Sequence, residues 1–511
     1  MTGSVISQIV AAPPPAGHRI TFQRLGDAST MTLTGLYETA GQLARGLRAA
    51  GIGPGSRIGI AAANSPQWVL LDLAALQLKA VTCGFEAGKF DATPALLDRY
   101  GLAVLFTDRP ASGGQGIRPI SDVGELTRLG AAAGPLPTPC YRPEDSTTIK
   151  FTSGSTGEPK GLAATVGSID SSISAVQAMF RHTDGDNLFV FLPLSLLQQR
   201  YWVYSALRFG HDVTISTYEA AFPALRQARA TVVMGVPAFY ETARGHIEAS
   251  ARRAASAAQP SAANLRDAAR KLFGDRIRYL WTGSAAARPA TLRFFAEAGL
   301  PIYEGYGLNE TCIVAKNHPG AHREGSVGQV LPGKKVTFDA RGLIAVHSEH
   351  PVNWRYEYAS PGESERVFAP DGTVRTGDLG YLDDDGFLFI QGRADDVVVL
   401  DNGKNILVRP LEEFLRGSPA IEECVVACPR QSRLAAVISP ASDPPDTEAI
   451  TDQVAAANAV FGAEMRISDV VIAPERFSVG NGMLTSQFKP RRRHIAGKYL
   501  QSAPADVAEK G

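Results

Sequence analysis

FTSGSTGEPKG, residues 151–161, gathers Thr152, Ser153, Gly154, Ser155, Thr156 and Gly157 into one run and closes on Pro159-Lys160-Gly161. A stretch with so little side-chain bulk can turn its backbone N–H groups inward around an anion, and its small hydroxyls can donate to phosphate oxygens. Lys160 adds a mobile point charge. A flexible Ser/Gly linker is the competing reading. A linker does not explain the Pro-Lys-Gly ending or the β-prone STTIKF (146–151) that precedes it. The run is not a G-x-x-x-x-G-K-[ST] loop either, because only two residues separate Gly154 from Gly157 and Lys160 is followed by Gly161. Phosphate binding is the favoured expectation.

Outward from this loop the chain alternates helix-like and strand-like segments. LTGLYETAGQLARGLRAAGIGPGSRIGIAAANS (33–65) reads as an amphipathic helix, a Gly-Pro-Gly turn and a strand. QWVLLDLAALQLKAV (67–81) reads as a helix and LAVLFTD (102–108) as a strand. After the loop, NLFVFLPL, DVTIST, ATVVMGVP and IRYLWTG read as strands, and 252–273 as an Ala-rich helical excursion interrupted at Pro260. This βαβ rhythm predicts mainly parallel sheets with helices on both faces. From about residue 320 short strands with Gly and Asp turns predict antiparallel structure. A break near 394–396 precedes a compact α+β unit of about 115 residues, with a disordered tail QSAPADVAEKG (501–511) expected.

Bulk composition narrows the function classes. The chain has 511 residues, 44% hydrophobic and 20% charged, ordinary for a globular protein with a large core. Lys+Arg and Asp+Glu both number 51, so the formal charge is zero, which argues against a nucleic-acid or acidic-membrane partner. Five cysteines, at 83, 140, 312, 424 and 428, are an odd and sparse set without C-x-x-C. They point to a reducing cytoplasm and against a disulfide framework. The N-terminus lacks the basic start and long apolar core of a signal peptide, and the longest apolar run, WVLLDLAALQL (68–78), is too short for a membrane span and carries Asp72.

Four further stretches bear on the loop. PIYEGYGLNET (301–311) offers a strand, a glycine-flanked Tyr306 able to stack on a base, and Glu310, a natural Mg²⁺ ligand beside polyphosphate. The plain alternative is a turn with a core tyrosine. RTGDLG (375–380) sets Asp378 between glycines, where a carboxylate can accept from ribose hydroxyls or cap a turn. GRADD (392–396) and NGKN (402–405) flank the strand-like VVVL, and Arg393 could reach sugar or phosphate. NGMLTSQFKPRRR (481–493) carries Lys489 in a basic strip that, by itself, is more often a solvated face than a site.

Together these motifs, in this order from ITFQRLG (20–26) to Lys489, resemble the adenylate-forming family of acyl-CoA synthetases, adenylation domains and luciferases. The likeness is greatest to the long-chain acyl-CoA synthetase branch. The resemblance implies an α/β fold: a large N-terminal AMP-binding domain, residues 1–393, of doubly wound sheets plus a small β-barrel-like subdomain. A small mobile α+β C-terminal domain, residues 394–511, would follow and carry the catalytic lysine. By the same resemblance, Thr152, Ser153, Gly154, Ser155, Thr156, Gly157 and Lys160 would hold the β- and γ-phosphates of ATP. Gly283, Ser284 and Ala285 with Glu304, Gly305 and Tyr306 would embrace adenine; Glu310 would meet Mg²⁺; Asp378 and Arg393 would bind ribose. Asp395 matches the hinge, and Lys489 would reach the α-phosphate and withdraw for a second reaction.

The implied activity is an AMP-forming ligase that activates a carboxylic acid as acyl-AMP with release of pyrophosphate, then transfers it to CoA or a carrier-protein thiol. Two departures fall where acid and α-phosphate should meet. Asn309 stands where the family usually has threonine, and Leu196 in FLPLSLLQQR (191–200) stands where the long-chain branch usually has histidine. Asparagine still donates through its amide, whereas leucine offers neither hydrogen bond nor charge. A second implied reading is therefore activation of nitrite for diazotisation of an aromatic amine on the same scaffold. A third is a nucleotide-binding, catalytically weak relative, against which Lys160, Glu310, Asp378 and Lys489 argue. The acyl pocket would be lined from VVMGVPAFYET (232–242) and the TCIVAKN segment (311–317).

Overall fold

The computed structural model describes residues 3–86, 88, 90–110, 114–153, 159–255, 260–394, 397–399, 405–429, 433–485 and 490–500. Gly154, Ser155, Thr156, Gly157, Asp395 and Lys489 lie outside these residues, and so do the side chains of Thr152 and Ser153. Among the described residues the βαβ segments build two large sheets. The first has six strands in the order Ile117–Pro119, Val104–Thr107, Arg57–Ala61, Val81–Gly84, Ser146–Ser153, Pro159–Thr165. Its first five strands run parallel; the last two pair antiparallel, with Thr152 opposite Lys160 and Ser153 opposite Pro159. The two strands that flank the small-residue run thus pair antiparallel at the sheet's edge.

The second sheet has nine strands, with the parallel set Asp212–Ile215, Asn187–Val190, Val232–Gly235, Tyr279–Thr282 and Ile302–Leu308 at its centre. Arg19–Arg24 joins this set in parallel and pairs antiparallel with Asp27–Thr32 at one end; at the other, Cys312–Lys316 runs antiparallel to Ile302–Leu308 and to Gln329–Val330. The helices follow from cap and stripe. Leu33–Ala49 starts where the Thr32 side chain accepts from the Gly35 N–H, and it buries Leu33, Leu36, Ala40, Leu43, Ala44 and Leu47 along one face. Pro66–Leu78 has Ser65 as its cap and Pro66 in its first turn, and is buried nearly all round, as its continuous apolar run requires. The Ala-rich excursion is two helices, Pro237–Ala254 and Ala262–Phe273, the second opened by a capping box between Ser261 and Asn264.

Asp72 on the helix Pro66–Leu78 is buried but not alone. Arg200 Nη1 and Tyr204 Oη donate to it at 2.8 and 2.6 Å, and Thr82 Oγ1 donates at 3.1 Å. Arg200 Nη2 donates to Thr148 Oγ1 at 2.8 Å. The helix Leu197–Phe209 is thereby fastened to strands of the six-stranded sheet. Later in the chain, the antiparallel structure expected from about residue 320 is a four-stranded sheet ordered Lys334–Phe338, Leu343–Ser348, Val374–Leu382, Leu388–Arg393.

The chain divides into two compact units. The first comprises Met1–Thr337, Ala345–Thr376 and Asp383–Leu388; the second comprises Phe338–Ile344, Gly377–Leu382 and Phe389–Gly511. In the second, Ile421–Ala427 pairs antiparallel with Leu434–Pro440, which pairs parallel with Ile467–Ile472. Cys424, Val426, Ala436 and Ile438 face the helices Arg409–Leu415 and Thr447–Phe461 in a core of its own. No helix among the described residues is long and apolar enough to cross a membrane.

Candidate active site

The strand Ile302–Leu308 delivers the GYG triplet to the end of the parallel set, then turns back at Asn309-Glu310-Thr311 into Cys312–Lys316. The pairing slips by one residue between Tyr306 and Gly307, a bulge that re-aims the strand end. A Cβ at Gly307 would lie 2.0 Å from the Cys312 carbonyl oxygen, so only glycine permits this return. Next to it, Tyr279–Thr282 ends in Gly283 and Ser284, and Ser284 is held at φ +70°, a strained conformation for a non-glycine residue.

These strand ends form one wall of a pocket of about 580 Å³, counting the solvent at its mouth. Gly283, Ser284, Gly305, Tyr306 and Gly307 line that wall. Leu192, Tyr201, Trp202, Met234, Val236, Trp281 and Ile313 also line the pocket, with Gln198, Gln199 and Gly235. Both segments expected to line an acyl pocket contribute to it, through Met234, Gly235 and Val236 and through Ile313. Ala285 and Glu304 do not line it: Ala285 is exposed, and Glu304 Oε1 accepts from the Ala287 N–H at 3.1 Å. Leu196, where a histidine was expected by resemblance, is the half-buried N-cap of the helix Leu197–Phe209 and makes no side-chain cap. Asn309 is half-buried in the turn beside Glu310.

Lys316, on the strand Cys312–Lys316, is wholly buried. Its Nζ donates to the Tyr303 carbonyl at 2.7 Å and sits 3.8 Å above the Trp281 ring. Burial drives its ammonium well below the ordinary lysine range, with the Glu304 carboxylate acting in the opposite sense.

Lys160 and Glu310 come together through a segment the sequence did not single out. Lys160 Nζ lies 2.6 Å from Glu363 Oε1 and 5.2 Å over the Tyr356 ring. Tyr356 Oη donates to Glu310 Oε1 at 2.6 Å. The backbone sets this up: Gly161 and Glu357 exchange N–H···O bonds at 2.8 and 2.7 Å. A Cβ at Gly161 would meet the Tyr358 ring at 2.9 Å, which is why a glycine follows the lysine. The hydrogen bond from Lys160 holds the Glu363 carboxyl below its ordinary range. Burial, then the Glu310 charge, raises Tyr356, so it remains a neutral donor. Glu310 keeps Oε2 outside the bond to Tyr356, and this oxygen suits a hard cation.

Asp378 and Arg393 belong to the second unit, where Arg393 Nη1 donates to the buried Asp378 Oδ1 at 3.2 Å. His318 and His322 lie beside the end strand; His322 packs edge-on against Tyr303 at 5.4 Å, and burial lowers both imidazoles. Glu363, Tyr356, Gln199 and Trp202 were missed from sequence. Glu363 and Tyr356 sit in a segment without motif character. Gln199 and Trp202 had a usable signal, three residues apart on a helix that directly follows a strand.

Comparison with known proteins places this geometry. Residues 10–340 match the family described as AMP-binding enzyme, and residues 395–499 match the AMP-binding enzyme C-terminal domain. The long-chain-fatty-acid–CoA ligase FadD15 of Mycobacterium bovis is 29% identical, over 95% of this chain and 94% of the relative. Long-chain-fatty-acid–CoA ligase 1 of Schizosaccharomyces pombe is 24% identical, over 96% and 87%. The fold matches the crystal structure of the anthranilate CoA ligase AuaEII in complex with anthranoyl-AMP, with TM-score 0.78, 18% identity and 97% and 96% coverage. It also matches o-succinylbenzoate CoA synthetase from Bacillus subtilis in complex with ATP and magnesium ion, with TM-score 0.76, 20% identity and 96% and 99% coverage.

Proposed function

The chain belongs to the AMP-binding enzyme family, and from that premise we propose that it is an AMP-forming ligase that joins a carboxylic acid to AMP and passes the acyl group to CoA or a carrier-protein thiol. The observation that carries this reading is a pocket whose lining joins Gly283, Gly305, Tyr306 and Gly307 to aromatic and aliphatic side chains. A flat base fits beside the glycines: the nearest atom to a Cβ at Gly283 would be the Gly305 carbonyl oxygen at 3.6 Å, so no side chain crowds that position. An acid's body fits against the aromatic and aliphatic side chains.

The chemistry must bring two anions together, a carboxylate and a phosphate. Lys160 offsets phosphate charge and is kept in place by Glu363 and the Tyr356 face. Mg²⁺, when bound, neutralises charge on the polyphosphate and its leaving group. Glu310 would hold it through Oε2 while Tyr356 fixes the carboxylate's orientation. Lys489 is assigned the α-phosphate, and Asp378 and Arg393 the ribose, on their sequence motifs.

The assay is pyrophosphate and AMP release with Mg-ATP against a panel of fatty and aryl acids, with and without CoA. Acid-dependent release that Lys160→Ala lowers about 100-fold is the expected result. Leu196, which presents no polar atom at the head of the pocket helix, favours one second reading, nitrite activation with an aromatic amine as acceptor. Release that needs nitrite and no acid selects it.

A further inference from the structure

Among the described residues, the pocket helix Leu197–Phe209 carries three buried polar atoms without a partner, Gln199 Oε1, Arg200 Nε and Trp202 Nε1. Gln199 is 5% exposed and Trp202 2%. Gln199 and Trp202 line the pocket, and three positions apart on a helix they share a face. Arg200 does not line the pocket, and its guanidinium is held through its other two nitrogens. On the same helix Arg200 and Tyr204 bond to Asp72, and Ser205 Oγ lies 2.9 Å from His211 Nε2. Buried polar atoms in native proteins are normally paired, and an unpaired one needs an explanation.

Resting on the ligase reading, we propose that Gln199 and Trp202 determine acid specificity, and that they select an aromatic acid bearing a hydroxyl or amino group on its ring or side arm. The two atoms are complementary: the amide oxygen accepts and the indole N–H donates. A hydroxyl or amine can give a hydrogen to the first and take one from the second. A plain alkyl chain can do neither and would leave both atoms unpaired in a closed wall. The ring preference comes from the surroundings. Trp202 and Trp281 meet edge to face at 5.0 Å, and Tyr201 and Tyr306 complete an aromatic lining. A site built to bond a substrate's polar group discriminates strongly against the analogue that lacks it, whereas a wholly apolar wall discriminates weakly between similar chains.

The test compares kcat/KM for acid-dependent pyrophosphate release across matched acids at saturating Mg-ATP. The panel is benzoic, hydroxybenzoic, aminobenzoic, cinnamic, hydroxycinnamic and octanoic acids. The enzymes are wild type, Gln199→Leu, Gln199→Met and Trp202→Phe, with melting temperature as the check on folding. The wild type should prefer a hydroxyl- or amino-bearing ring by roughly 100-fold or more over the unsubstituted ring and the alkyl acid. Any folded Gln199 variant should shrink that ratio about tenfold or more, chiefly by slowing the substituted acids, and Trp202→Phe should do so in part. Equal use of substituted, unsubstituted and alkyl acids overturns the proposal alone, and so does a preference that survives in folded Gln199 variants. Pyrophosphate release that no acid stimulates overturns the ligase reading and this one together.

Discussion

Tyr356 touches both groups on which nucleotide chemistry is proposed to depend. Its hydroxyl donates to Glu310, and its ring lies under the Lys160 ammonium, which Glu363 anchors. Tyr356→Phe keeps the ring and removes only the bond to Glu310. Partners that orient a metal-binding carboxylate are commonly worth 10–100-fold in metal affinity. The Mg²⁺ concentration giving half-maximal pyrophosphate release should therefore rise by roughly tenfold, with much of the rate restored at high Mg²⁺. An unchanged Mg²⁺ titration would remove Tyr356 from this role. Sequence made Lys160 and Glu310 visible because each stands in a motif with its own chemistry. It could not show what holds them, since Glu363 lies 203 positions from Lys160 and Tyr356 lies 46 from Glu310. Neither spacing leaves a local pattern. Ser284 is a further residue whose left-handed backbone only coordinates disclose.

At the level of elements, the helix Leu197–Phe209 is fixed by the buried Arg200–Asp72 pair and the hydroxyls of Tyr204, Thr82 and Thr148. Removing one partner of such a pair strands the other's charge. Arg200→Met should cost about 3–5 kcal/mol in denaturant unfolding, and Asp72→Leu combined with Arg200→Met should cost less than Arg200→Met alone. Elements themselves were readable wherever a cap met a stripe, as at Thr32 and Leu33–Ala49, or where Pro260 broke a helical run ahead of the Ser261 cap. Pairing was less so. STTIKF and Pro159–Thr165 are an antiparallel pair at the edge of a parallel sheet, and nothing in their side chains distinguishes that from a further βαβ crossover. Asp72 counted against a membrane helix in the sequence; in the fold it is the acidic half of the fastening.

At the scale of the whole molecule, two deeply buried imidazoles couple stability to pH. Burial pushes His182 down to about 3 and His211 to about 4. His211 Nδ1 faces the Asp212 carbonyl at 3.0 Å and so carries the proton, leaving Nε2 to accept from Ser205. Both rings are neutral when folded and take up a proton on unfolding below their ordinary value of about 6.5. The unfolded state then binds more protons, so stability is full above about pH 6.5 and falls as pH drops toward about 4, by about 1.4 kcal/mol per pH unit for each ring. His211→Gln can keep both hydrogen bonds without titrating. It should flatten the dependence of unfolding free energy between pH 6 and 4.5 by roughly one proton's share. The overall α/β plan was legible because alternation of helix and strand survives over hundreds of residues. The assignment of Asp378 and Arg393 to one compact unit with Phe389–Gly511 was not, because it depends on contacts that no local spacing encodes.

The fastening of the pocket helix has an evolutionary consequence. Orientation is set by Arg200 and Tyr204, while substrate contact is assigned to Gln199 and Trp202, so posture and taste reside in different side chains of one helix. Descendants of this chain could therefore vary the acid at these positions while the Asp72 fastening keeps the helix in place.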